Sequence, residues 1–303
     1  MRVLASRRFP GAAWDELHDV EYLEGALDEP RPRVEVLATV APVDEATLDL
    51  LPDLRLVANY GVGYDGIDVA ACQARGVAVT NTPGVLDAAT ADLTFALILA
   101  VRRRVAEGDR FVRAGKWGSG WAEPFLLGDE ISGATLGIVG LGRIGQAVAR
   151  RARGFEMRIL YAQRHESEAA SDLGAELREL DELLAEADIV TLHLPLTDET
   201  RELIDAKRLA LLRDGACLVN TSRGGVVDEP ALVAELQSGR IRAGLDVYAD
   251  EPNVPQDLLD LPNVVLTPHI GSATGATREA MTRVLVDNVL AVERGQDPPN
   301  RVS

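Results

Sequence analysis

The stretch Gly137 to Gly145, GIVGLGRIG, constrains this chain more than any other. An apolar run, Thr135 to Val139, leads there into a glycine-spaced turn and then into an Ala-rich helical run, Gln146 to Arg153. Gly140, Gly142 and Gly145 stand at the G-x-G-x-x-G spacing. The first glycine permits a tight turn, the second lets the backbone approach a pyrophosphate, and the third lets the helix lie close to the strand. A helix start adds free N–H groups and a partial positive charge, so the stretch reads as a phosphate cradle for a dinucleotide. An ordinary glycine turn is the competing reading, and the flanking strand and helix weigh against it.

At 303 residues the chain is too long for most single cores, which predicts two domains. Before the fingerprint, strand-like runs at Val3 to Ala5, Val34 to Thr39, Leu56 to Asn59 and Val77 to Thr80 alternate with helical ones, the pattern of a small parallel α/β unit. After it, strands are expected at Met157 to Tyr161, Ile189 to Leu192, Ala216 to Asn220, Ala243 to Val247 and Val264 to Thr267, making the second domain a doubly wound sheet. Asn81 to Gly84 breaks the chain, and Thr90 or Asp92 is expected to cap a long helix with Phe95 to Val101 on its buried side. A last helix, Thr274 to Arg294, has the length and amphipathic pattern to return to the first domain. Two crossings would make a hinge whose closure excludes water. Trp117 and Trp121, in a Gly-rich stretch, read either as a subunit contact or lid or as packing within their own domain.

The formal charge of -17 argues against a nucleic-acid partner, because a phosphate backbone needs a basic surface to displace its counterions. Cys72 and Cys217 have no metal-ligand spacing and read as core residues of a reducing, cytoplasmic compartment; no metal is expected. MRVLASRRFP lacks the apolar core of a signal peptide. Leu93 to Val101, the most apolar run, is bracketed by charges well short of the roughly 20 residues that a membrane span needs.

The polar groups that stand out follow the expected strands of the second domain, on the edge that carries the fingerprint. They are Arg223 in NTSRGG, Asp246 at a strand end, Glu251 in YADEP and His269 in TPHIGSAT. Arg223 can fork onto a carboxylate or carbonyl oxygen, and a carboxylate beside a histidine favours its charged form, which suits a general acid. Singly, each has an ordinary explanation: a salt-bridged helix-start cation, a solvated loop acid, a satisfied buried histidine. Together on one sheet edge those explanations lose ground. His18 and His165 read as exposed, and His193 in LHLPL as a neighbour of the cofactor without proton chemistry.

NYGVGYDGID, NTPGVLDAATADL, TLGIVGLGRIGQAVARRARGF, NTSRGGVVDE, GLDVYADEP and VVLTPHIGSAT, in this order, resemble the D-isomer-specific 2-hydroxyacid dehydrogenase family, most of all its glyoxylate and hydroxypyruvate reductases. The likeness covers nearly the whole chain and is weakest before about Val34. It implies two Rossmann-like parallel-sheet domains: a smaller flavodoxin-like substrate domain, residues 1–90 and 275–303, and a cofactor domain, residues 91–274. It implies Arg223, Glu251 and His269 as the catalytic set, Val62 and Gly63 as backbone donors to a substrate carboxylate, and Asp246 near the nicotinamide. Gly140, Gly142, Arg143, Ile144, Gly145, Arg164, His193, Thr221, Ser222 and Gly271 complete the expected cofactor contacts. A homodimer through the cofactor domains and a small 2-oxo acid substrate are implied as well.

The expected activity is therefore NAD(P)H-dependent reduction of glyoxylate or hydroxypyruvate. The strand before Tyr161 is followed by Ala162, Gln163 and Arg164 in place of the acid that NAD-selective sites carry about 20 residues after the fingerprint. NADP(H) is thus expected to be preferred, with NAD(H) possible. Rival readings are a redox-sensing binding protein like the C-terminal-binding corepressors, or a dehydrogenase for another 2-hydroxy acid such as phosphoglycerate. The short chain without appended segments argues against both. A formate dehydrogenase fits less, because that branch has Gln where Glu251 stands.

Overall fold

A computed structural model of the chain describes residues 1–118 and 125–302. The chain forms two units, Met1–Leu86 with Ser272–Ser303, and Asp87–Gly271.

The smaller unit is a five-stranded sheet in the order β2-β1-β3-β4-β5. Its strands are β1 (Arg2–Ala5), β2 (Asp19–Tyr22), β3 (Val36–Thr39), β4 (Leu56–Asn59) and β5 (Ala78–Thr80), and every pairing is parallel. This is the flavodoxin-like order. Two of the three interior strands, β3 and β4, are buried along their whole length, as a parallel sheet covered on two faces requires. One face is covered by Val43, Leu48, Leu51, Leu54, Ile67 and Cys72 from the crossover segments. The helix Gly275–Glu293 packs on β4 and the segment around Trp14, burying Met281, Leu285, Val286 and Val289. Thr274 caps that helix through its hydroxyl, which accepts from the Thr277 N–H.

The larger unit is a seven-stranded parallel sheet in the order β12-β11-β10-β9-β6-β7-β8. Its strands are β6 (Thr135–Val139), β7 (Arg158–Ala162), β8 (Ala175–Leu177), β9 (Ile189–Leu192), β10 (Cys217–Asn220), β11 (Arg242–Leu245) and β12 (Val264–Leu266). Helices Asp87–Arg102 and Arg143–Ala152 close one face with Phe95, Leu97, Ile98, Val148 and Ala152. Helices Leu180–Glu186, Ala206–Leu211 and Glu229–Gln237 close the other with Leu183, Leu184, Leu209, Leu232 and Leu236. The strand order reverses between β6 and β9, so a ligand crevice is expected outside the C-terminal ends of those two strands.

Two details differ from the sequence reading. The long helix starts at Asp87, so Thr90 and Asp92 lie inside it. The Thr90 carbonyl accepts from the Thr94 hydroxyl, and Asp92 pairs with Arg151 at 2.6 Å, so neither is a cap. Strands β2 and β8 are additions to the expected set; both are sheet-edge strands with no buried position, DVEY and AEL, whose polarity hides them. Trp121 of the anticipated aromatic loop lies outside the described residues, and Trp117 is exposed. Among the described residues no helix is long and apolar enough to cross a membrane, no group of His, Cys, Asp and Glu could hold a metal ion, and both cysteines are buried and free.

Candidate active site

The turn after β6 is built as the glycine spacing requires. Gly140 has φ +95°, a conformation that L side chains rarely adopt, and a Cβ there would also lie 2.8 Å from the His193 carbonyl oxygen. A Cβ on Gly145 would overlap the Gly140 carbonyl oxygen. At Gly142 a Cβ would meet nothing within 4 Å, so the space outside this residue is open to a ligand. Gly142 precedes the helix Arg143–Ala152, which no side chain caps, and this leaves the first-turn N–H groups, those of Arg143 and Ile144 among them, for an anion. Arg143 itself stands 3.7 Å from Asp87.

Two loops flank this turn. The His193 N–H donates to the Val139 carbonyl, which ties the end of β9 to β6. Burial pushes the His193 imidazole down to about 3, so the ring is neutral near pH 7, and its buried Nε2 has no hydrogen-bond partner among the described residues. On the other side Gln163, just past β7, accepts the Leu141 N–H at 3.0 Å. Arg164 follows it, is well exposed, and pairs with Glu199 at 2.7 Å. An open glycine cradle, an uncapped helix start and a buried ring nitrogen still lacking a partner fit a bound dinucleotide.

Arg223, Glu251 and His269 come from the ends of β10, β11 and β12. Asn220, the last residue of β10, shapes the first loop: its Oδ1 accepts from the Ser222 N–H and hydroxyl, and its Nδ2 donates to the Arg223 carbonyl at 2.8 Å. Arg223 Nη1 donates to the Ser222 carbonyl. The Thr221 hydroxyl meets that of Thr94 at 2.9 Å, in the interior. Gly224 lies so close to the backbone of Tyr248 that a Cβ would overlap it, and this contact sets the Arg223 loop against the segment leading to Glu251.

Glu251 holds two donors, the Tyr248 N–H on Oε1 at 3.1 Å and His269 Nδ1 on Oε2 at 2.6 Å. Burial pushes the Glu251 carboxyl up. The hydrogen bond and charge of His269, the Tyr248 N–H and the charge of Arg223 outweigh that, and the carboxyl sits below its ordinary value. Half of the His269 side chain is exposed, with Nδ1 engaged by the carboxylate. Beside the pair lies a pocket of about 270 Å³ lined by Tyr248, Pro252, Val254, Leu266 and Pro268.

His269 has φ +52°, a left-handed conformation that is costly for a residue with a Cβ. Asp246, wholly buried at the end of β11, holds it there. The Asp246 carbonyl accepts the His269 N–H at 2.9 Å, while the carboxylate accepts from the Thr267 hydroxyl and the N–H groups of Ile270 and Gly271, at 2.6 and 2.8 Å. Burial raises the Asp246 carboxyl above its ordinary value against those three donors. The sequence marked Asp246 but gave no sign of this clasp, nor of Asn220 and Gly224.

Val62 and Gly63 belong to the smaller unit, in the loop after β4. Asn59 Nδ2 donates to the carbonyls of Gly61 and Gly63, and Asn81 Nδ2 to that of Val62.

The chain matches the family described as D-isomer specific 2-hydroxyacid dehydrogenase, NAD binding domain, over residues 95–271. It is 49% identical to the glyoxylate reductase of Pyrococcus furiosus, over 99% of this chain and 91% of that protein. It is 46% identical to the glyoxylate reductase of Korarchaeum cryptofilum, over 100% and 96% of the two chains. Among solved structures, a protein of Thermus thermophilus superimposes with a TM-score of 0.91 at 46% identity, over the whole of both chains. An NADPH-dependent glyoxylate/hydroxypyruvate reductase of Sinorhizobium meliloti, in complex with NADP and malonate, superimposes with a TM-score of 0.90 at 36% identity, over 100% of this chain and 96% of that one.

Proposed function

The chain belongs to the D-isomer-specific 2-hydroxyacid dehydrogenases, and from that premise we propose that it reduces a small 2-oxo acid, glyoxylate or hydroxypyruvate, to the 2-hydroxy acid, the D isomer where the product is chiral. The observation that carries the mechanism is the bond of 2.6 Å between His269 Nδ1 and Glu251 Oε2. When bound, the nicotinamide supplies a hydride to the carbonyl carbon of the substrate. With Nδ1 held by the carboxylate, His269 delivers a proton from Nε2 to the developing alkoxide. Glu251 stabilises the imidazolium until that transfer. Arg223 orients the substrate and polarises its carbonyl, and the N–H groups of Val62 and Gly63 take the carboxylate.

NADPH is the proposed cofactor, with NADH accepted less well. Support comes from Arg164, a cation at the end of β7 where an acid would repel a 2′-phosphate. The proposed assembly is a homodimer through the larger unit. The helix Val105–Arg113 has no buried residue, and Val105, Val112, Trp117 and Leu127 leave apolar surface around it that a second copy would cover. Sedimentation giving a monomer at micromolar concentration would remove the dimer.

A panel of 2-oxo acids assayed for oxidation of NADPH and NADH tests the substrate class, with glyoxylate and hydroxypyruvate expected to lead. His269→Ala and Arg223→Ala should each lower kcat roughly a hundredfold or more while cofactor affinity holds. A protein that binds cofactor and reduces none of the panel would sink the substrate reading, and near-parental turnover in either variant would remove that residue from the mechanism.

A further inference from the structure

The loop after β4 carries an arrangement that the reaction itself does not require. The Gly61 carbonyl accepts from Asn59 Nδ2 at 3.2 Å and from the Thr82 N–H at 2.9 Å. Asn81 Nδ2 donates to the Val62 carbonyl at 2.8 Å, and Asn59 Nδ2 reaches the Gly63 carbonyl at 2.9 Å. Three consecutive carbonyls are thus engaged by two amide side chains that are 7% and 8% exposed.

A trans peptide group points its N–H opposite to its C=O. The carbonyl of Gly61 shares a plane with the N–H of Val62, that of Val62 with the N–H of Gly63, and that of Gly63 with the N–H of Tyr64. Holding the three oxygens from behind therefore sets the direction of the three N–H groups in front. An isolated glycine loop has no such preference, since Gly61 and Gly63 leave the peptide planes free to turn.

The two amides stand side by side because of the sheet register. Asn59 ends β4 and Asn81 follows β5, and the preceding residues Ala58 and Thr80 are paired. Asn81 is held in turn. Its N–H donates to the Asn300 carbonyl at 3.3 Å, and its own carbonyl accepts from Asn288 Nδ2 at 3.4 Å. Asn288, buried on the helix Gly275–Glu293, also accepts from the Asn300 N–H and Nδ2. A chain of amides thus runs from the last helix to the loop.

We infer that Asn59 and Asn81 are positioning residues: they turn the Val62 and Gly63 N–H groups outward as a preorganised receptor for the carboxylate of a 2-oxo acid. The inference rests on the proposal that these N–H groups take the substrate carboxylate. Asn59 sets the Val62 donor and Asn81 the Gly63 donor. Neither touches the substrate, and each acts on binding without entering proton or hydride transfer.

The test is Asn59→Asp, which keeps the shape of the side chain but replaces the donor with oxygens that repel the Gly61 and Gly63 carbonyls. The KM for glyoxylate should rise about tenfold or more, the worth of a hydrogen bond to a charged group, while the KM for NADPH and its affinity measured by fluorescence stay at parental values. A variant that merely folds less well loses active enzyme, and so kcat, without moving KM. An unchanged glyoxylate KM, or a loss confined to kcat, would overturn the inference. If Asn59→Asp does not fold by circular dichroism, Asn81→Asp reads the same quantity on the same loop. The parent is assayed beside the variants on glyoxylate and on its amide, which lacks the carboxylate: equal kcat/KM on the two would sink the carboxylate reading itself, whereas a parent that demands the carboxylate and variants that keep its KM would sink only the positioning role.

Discussion

Two glycine-bearing loops, one after β4 and one after β6, both sit at the C-terminal end of a buried parallel strand, yet they are held in opposite ways. In the turn Gly140 to Gly145 the backbone is fixed by contact: a Cβ on Gly145 would overlap a carbonyl oxygen five residues away, and one on Gly140 would crowd the His193 carbonyl. At Gly61, in the loop after β4, no such crowding exists. A Cβ on Gly61 would meet the Asn59 amide at 3.7 Å and the Gly63 carbonyl at 3.8 Å, ordinary distances, and the loop is set by hydrogen bonds from side chains. Steric demands are local and absolute, whereas hydrogen-bonded ones can be met by any donor that reaches the same oxygens.

That contrast predicts opposite outcomes for the same substitution. Gly145→Ala forces the helix Arg143–Ala152 away from the turn, a cost at or above the roughly 1 to 3 kcal/mol of core overpacking, and should weaken NADPH binding by about a hundredfold or more. Gly61→Ala should leave cofactor affinity unchanged and Tm within a few degrees of the parent. Fluorescence titration and thermal melts measure both, and a Gly145→Ala protein with parental affinity would break the comparison.

Arg164 sharpens it from the cofactor side. The exposed pair with Glu199 is worth little, about 0 to 1 kcal/mol, so a 2′-phosphate can take Arg164 from it. A charge-assisted contact to phosphate is worth roughly 1.5 to 3 kcal/mol, or about ten- to a hundredfold. Arg164→Ala should lower the NADPH-to-NADH ratio of kcat/KM by that factor. A parent that favours NADH, or a variant with its preference intact, would show that Arg164 does not read the phosphate.

The smallest expected effect is a displacement along the pH axis. Glu251→Gln replaces the carboxylate that holds His269 Nδ1 with a neutral amide, so the pH–rate profile for reduction should differ from that of the parent. The sign at the acid end follows from the lowered Glu251 carboxyl. Its contribution to stability is present above the ordinary carboxylate value of about 4.3 and is lost as the pH falls through the lower folded value. Parent and variant should therefore differ in Tm near neutral pH and converge in acid. Superimposable pH–rate profiles would sink the pairing.

The same division between local and distant causes explains what could be read from the sequence. The fingerprint was legible because its strand, turn and helix lie within one short stretch, where Gly145 answers a clash with the nearby Gly140 carbonyl. The larger core strands were legible as apolar runs, while β2 and β8, at sheet edges and rich in polar residues, were not. Thr90 looks like a cap in sequence because nothing local shows that the helix already begins at Asp87, or that Thr94 bonds to Thr221, far along the chain. The candidate site residues Arg223, Glu251 and His269 were visible as types at strand ends. The clasp of Asp246 around His269 and the amides behind Val62 and Gly63 were not, since each joins residues that the fold alone brings together.

The path of the chain bears on how the protein is made. The larger unit, Asp87–Gly271, is continuous in sequence and is inserted between the two segments of the smaller one. On the ribosome the larger unit is therefore complete while the smaller one still lacks the helix that covers β4 and the Asn288 amide that holds Asn81. The five strands of the smaller unit must wait through the synthesis of the whole insert for that helix, and the NAD-binding unit can be folded before the smaller unit is complete.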